Sequence, residues 1–155
     1  MKLSDAIVLG RILINPVRFR LLTDNGKGGC ALGMAGVATG LKLHSCGPCT
    51  VLGIRLEAKD DYAVLSKTWP WLDQKITDMP CGCEPCEDDC TDQADIITHL
   101  FDTHVDCRCG CGWTLEQLIQ WVRSVEPEES ENNTSNRWEQ PLLACDKEVA
   151  SVNHS

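Results

Sequence analysis

Nine of the eleven cysteines fall in three short groups, and no other feature restricts the fold of this chain as strongly. The groups are CGPC (Cys46, Cys49), CGCEPCEDDC (Cys81, Cys83, Cys86, Cys90) and CRCGC (Cys107, Cys109, Cys111); Cys30 and Cys145 stand alone. The grouped thiols lie in runs rich in Gly, Pro and Asp, not on apolar faces, so they do not read as small buried hydrophobes. Tetrahedral zinc takes four nitrogen or sulfur ligands, commonly delivered by two short knuckles with a spacer between them. Cys83-Glu-Pro-Cys86 is such a knuckle, and the 20 residues between Cys86 and Cys107 leave room for one small element whose ends the metal would pin. Zinc is therefore the expected cofactor, with Cys46, Cys49, Cys81, Cys83, Cys86, Cys90, Cys107, Cys109 and Cys111 as candidate ligands. Two four-thiolate sites would use eight of these nine, and His44 and His104, beside the clusters, could each replace a thiolate. Spacing leaves the pairing open, and an iron–sulfur cluster would draw on the same ligand type.

Cys46-Gly-Pro-Cys49 also matches the tetrapeptide of thioredoxin-like redox proteins. Such a pair follows a buried strand and opens a helix, whose dipole lowers the first thiol's pKa. Here the preceding KLHS is short and polar, and the following TVLGIRL reads as a strand. The context favours a metal knuckle over a redox pair.

Charge narrows the partners. The net charge is −9, against generic nucleic-acid binding, which needs clustered Lys and Arg. The balance is uneven. Residues 1–56 hold seven Lys/Arg and two Asp/Glu, whereas residues 57–106 hold three and thirteen. A protein partner for the acidic part is expected, and nucleic-acid binding through the basic N-terminal third is the alternative. No convincing secretory signal or membrane-length apolar run is visible, so the chain is expected in the cytoplasm, where thiols stay reduced.

The periodicity predicts a mainly α fold: a small, zinc-stapled single domain over residues 1–126, with a short β-hairpin arm at 50–56. A first helix is expected over 4–13, capped by Ser4, with a stripe of Ala6, Ile7, Leu9, Ile12 and Leu13, and stopped by Asn15-Pro16. Residues 23–29 read as a flexible turn, and 30–40 as a tightly packed helix ended by Gly40. Further helices are expected over 57–68 and over 92–104, the latter with Ile96, Ile97, Leu100 and Phe101 inward. Thr114 and Gln117 form the signature of a capping box that opens a helix to about Val125, ended by Pro127. The tryptophans are expected to anchor the core. Residues 127–155 are polar and aperiodic, and read as an acidic, disordered tail.

Motifs for catalysis are weak. In HLFDTH, His99 and Asp102 share a helix face, but no nucleophile is marked nearby, and a polar helix edge is the simpler reading. The deaminase and zincin patterns and a phosphate loop are absent from the sequence. The helices over 92–104 and 115–125 lack the basic face of a helix-turn-helix.

The segments GGCALGMAGVATG, WPWL, the Cys-x-Pro-Cys-like knuckle and HLFDTH…GWTLEQLIQWV together resemble a group of uncharacterised small bacterial and bacteriophage proteins. Members carry a Cys-Ala-Leu-Gly segment and a His-Leu-x-Asp-x-His…Trp-Thr-x-Glu-Gln-x-x-x-Trp-Val segment. The resemblance covers much of residues 1–126 and implies no activity; it implies a phage or mobile-element origin. CRCGC departs from the simpler members. The expected function is that of a non-enzymatic zinc protein acting through protein contacts, with a host or defence factor as the expected target of a phage or mobile-element protein; redox exchange through Cys46 and Cys49 is a further alternative.

Overall fold

A computed structural model describes residues 1–18, 20–44, 59–76, 78–82, 92–102 and 111–128. Helices dominate: α1 (Leu3–Leu13), α2 (Ala31–Ala38), α3 (Lys59–Thr68), α4 (Gln93–Asp102) and α5 (Leu115–Val125), with a 3₁₀ turn at Pro70–Asp73. The expected mainly α class is what is found. The strands β1 (Asn15–Pro16) and β2 (Gly28–Gly29) form one small parallel pair. The proline is tolerated because Asn15 and Val17 donate across the pair, to Lys27 and Gly29, and the position between them needs no N–H. The run 23–29 is thus a turn that closes a ladder. The arm expected at 50–56 lies outside the described residues.

The first helix departs from expectation at both ends. Its N-cap is Lys2, which offers no capping side chain, and Ser4 lies fully buried inside the first turn. Glu126, which follows α5, supplies the missing acceptor: its carboxylate takes the Ser4 backbone N–H at 3.1 Å and the Ser4 hydroxyl. The first turn of a helix leaves four N–H groups without partners and favours a negative charge, so this long-range cap serves both needs. At the other end, Leu9, Ile12 and Leu13 are exposed rather than inward. Gly10 replaces them at the contact with α2, because a Cβ at this position would overlap the Met34 carbonyl. Backbone approach therefore rotates the helix away from the face that hydrophobicity alone selects.

The other elements follow their local signals. Helix α2 is buried along nearly its whole length, and the chain turns out of it at Gly40, whose φ of 72° suits glycine. In α5, Thr114 and Gln117 make both bonds of the capping box. Helix α4 carries a reciprocal cap of another kind: Asp92 and Asp95 each accept the other's backbone N–H, at 3.3 and 3.0 Å. Trp69 and Trp71 are buried, and Trp113 and Trp121 pack against the same core. That core joins Leu3 and Ile7, Leu32 and Met34, Leu65, Ile96 and Leu100, and Leu118 and Val122. Among the described residues no helix is long and apolar enough to cross a membrane.

Candidate metal centre

Helix α4 packs against α2, α5 and the 3₁₀ turn at Pro70–Asp73, and its burial is what makes the site. Residues 94–101 are buried on every side of the helix, not along a stripe. Its polar side chains therefore need partners inside the protein. Thr98 donates to the Ala94 carbonyl and lies 3.4 Å from the Tyr62 hydroxyl. Asp95 is spent on the cap. His99, only 1% exposed, meets two sulfurs.

Its Nε2 atom lies 3.6 Å from Cys81 Sγ and 3.2 Å from Cys111 Sγ. All three ligand atoms lie within 4.8 Å of one another. A tetrahedral ion with metal–sulfur bonds of about 2.3 Å and metal–nitrogen bonds of about 2.0–2.1 Å separates sulfur from nitrogen by roughly 3.6 Å. The Cys81 spacing equals that value and the Cys111 spacing is about 0.4 Å shorter, so the group could hold a metal ion. A single Nε2 atom can make only one straight hydrogen bond, whereas a cation can join all three atoms at once.

Three separate stretches of chain deliver these atoms. Cys81 sits in a turn closed by the Gly82 N–H donating to the Met79 carbonyl at 3.0 Å. That turn is placed against α4 by a bridge between Lys75 and Asp92, and by the Gln93 N–H donating to the Gln74 carbonyl. Cys111 lies two residues before Trp113, whose N–H donates to the Leu100 carbonyl at 3.2 Å. Arg18 reinforces this junction by donating to the Trp113 carbonyl at 3.3 Å while its guanidinium lies over Phe101, 5.4 Å from the ring centre.

Of the nine candidate ligands, the structure brings Cys81 and Cys111 together. Cys46, Cys49, Cys83, Cys86, Cys90, Cys107 and Cys109 lie outside the described residues, as does His104. His99, read as part of a polar helix edge, is instead a buried member of the cluster. The sequence signal was its place three residues after Ile96, at the margin of the apolar stripe, between flanking cysteine runs. Asp102 ends α4, and its side chain is not among those described. His44 lies elsewhere and bonds to Asp61.

No family model, curated protein or solved structure matches this chain.

Proposed function

We propose that this is a non-enzymatic zinc protein in which the metal is a structural staple, and which acts by contacting another protein. The observation that supports the metal reading most directly is the buried His99 imidazole, set between the thiols of Cys81 and Cys111. The donor set of two sulfurs and one nitrogen suits zinc, which in structural sites takes a fourth ligand and closes. Cys83, two residues after Cys81, and Cys109, two before Cys111, are the nearest thiols along the chain for that position. Closed by one of these thiols, the site would leave no position for a reacting water, and the metal would be a staple rather than a catalyst. The partner reading rests on charge: thirteen Asp/Glu among residues 57–106 would suit a basic protein surface, in keeping with a phage or mobile-element origin and a host-directed role.

Native mass spectrometry with elemental analysis of anaerobically purified protein tests the metal. Zinc should be bound in the wild type, and one equivalent should be lost in Cys81→Ser and in Cys111→Ser. A metal-free wild type with freely titrating thiols would overturn the reading. A pull-down from host lysate tests the partner; binding that ignores charge reversal across residues 84–95, or no binding at all, would sink that half.

A further inference from the structure

The two thiols that face His99 differ from it in their access to solvent. The imidazole is 1% exposed, whereas Cys81 and Cys111 are both half-buried. Cys30, the remaining described cysteine, is buried in the apolar core. The group therefore sits with its nitrogen inside the protein and its two sulfur-bearing residues where the core meets water. Thiolate sulfur within reach of solvent is the atom that small oxidants attack, and a second thiol close by turns that attack into a disulfide.

The two sulfurs lie within 4.8 Å of each other. A disulfide of about 2.05 Å requires them to close by less than roughly 3 Å. Neither cysteine belongs to a helix, and each is followed by a glycine at positive φ, Gly82 at 73° and Gly112 at 49°. Each thiol thus stands in a tight turn, which can shift without breaking a helical hydrogen-bond ladder. Closure would have a consequence on the buried side. A disulfide has no proton to donate and no charge with which to bind an ion. The His99 Nε2 atom would lose the ion and both thiols together, and a buried polar atom that loses its partners destabilises the element that carries it. That element is α4.

We propose that Cys81 and Cys111 are a redox switch: hydrogen peroxide joins them in a disulfide, and this releases the ion and loosens α4. The inference rests on the zinc reading above and adds its regulation. In the first step one thiolate attacks a peroxide oxygen. The O–O bond breaks, a sulfenic acid forms, and hydroxide leaves. In the second step the other thiolate attacks the sulfenic sulfur, the S–O bond breaks, and a second hydroxide leaves as the S–S bond forms. The two sulfurs give up two electrons, the peroxide takes them, and two protons from solvent turn the two hydroxides into water. A dithiol reductant reverses the change and restores both ligands.

The test titrates the full, zinc-loaded chain with hydrogen peroxide. Zinc released to a chromogenic chelator is read beside a tandem mass-spectrometric map of the disulfides. One equivalent of zinc should leave in step with a Cys81–Cys111 link, and the chain should become two hydrogen atoms lighter for that link. Amide exchange in α4 should accelerate over the same titration. Dithiothreitol with added Zn²⁺ should restore the metal content and the protection of α4. Zinc that stays bound at peroxide levels that oxidise other thiols of the chain would overturn the proposal. So would release that accompanies a different disulfide, or release through sulfinic acids that dithiothreitol does not reverse. A chain found metal-free before peroxide is added overturns the staple reading instead, and in that chain the same map still decides whether Cys81 and Cys111 join.

Discussion

A histidine buried to 1% exposure is either a packed side chain with a satisfied hydrogen bond or a ligand, and His99 can be made to distinguish the two. Leucine has similar bulk and no polar atom. Replacing a buried imidazole by an apolar side chain of similar bulk costs little when the partners left behind are thiols, which are weak hydrogen-bonding groups, because the imidazole's own desolvation cost disappears with it. It cannot be neutral when the group holds an ion, because binding to the folded state alone adds stability that grows with metal concentration. His99→Leu is therefore expected to lower the melting temperature of zinc-loaded protein and to leave that of chelator-treated protein nearly unchanged. Thermal unfolding with and without chelator reads both. Equal melting in all four samples would make His99 a packed core residue. The same residue marks a limit of sequence reading. HLFDTH places His99 beside Asp102, which suggests a wet edge, because the apolar residues of the segment make a single stripe. Only the surrounding elements bury the helix on all sides, and periodicity carries no information about how many neighbours a helix has.

At the scale of the element, α1 shows how tertiary contacts override local preference. Glu126 stands in for an N-cap that Lys2 cannot provide, across 122 residues of chain. Glu126→Ala would leave the buried Ser4 hydroxyl and N–H without their acceptor, at a cost of about 1–3 kcal/mol. Glu126→Gln keeps one carbonyl acceptor and should cost less. Denaturant unfolding of the two variants gives the order, and equal losses would mean that the negative charge near the helix N-terminus carries the effect. Gly10 supplies a second case. On helix propensity alone, Gly10→Ala should stabilise by roughly 0.8–1 kcal/mol. Against the Met34 carbonyl the new methyl has no space, so the helices must separate, and overpacking of this kind costs about 1–3 kcal/mol. A net loss in denaturant midpoint is expected; a gain would show that α1 and α2 can part cheaply. The contrast with α5 explains which elements were legible. Thr114 and Gln117 cap within one turn, so sequence reveals them, and the stop at Gly40 is equally local. The Glu126 cap and the Gly10 contact depend on chain partners far away, and Ser4 accordingly reads as a cap when it is a buried first-turn residue.

For the whole molecule, the question is whether the metal organises the entire core or one side of it. Among the described residues the grouped ligands come from the turn at 79–82, from α4 and from the approach to α5, and none comes from α1 or α2. Those two helices meet where Gly10 lies against Met34, and their buried Ile7, Met34 and Ala35 belong to the apolar core, which needs no ion there. A structural zinc site can contribute on the order of 10 kcal/mol to folding, comparable to the whole stability of a domain this size. If that contribution reached every element equally, chelation would unfold the chain in one step. The arrangement argues for unequal reach: the ligands clamp α4 to its neighbours on both sides, while α1 and α2 remain joined by close backbone packing. Amide hydrogen exchange in the presence of a chelator should therefore accelerate first in α4 and at the start of α5, by about an order of magnitude for each ~1.4 kcal/mol of lost local stability. Amides of α1 and α2 should keep most of their protection under the same conditions. Simultaneous loss throughout would assign the metal to the whole core, and unchanged exchange in α4 would remove it from the fold altogether.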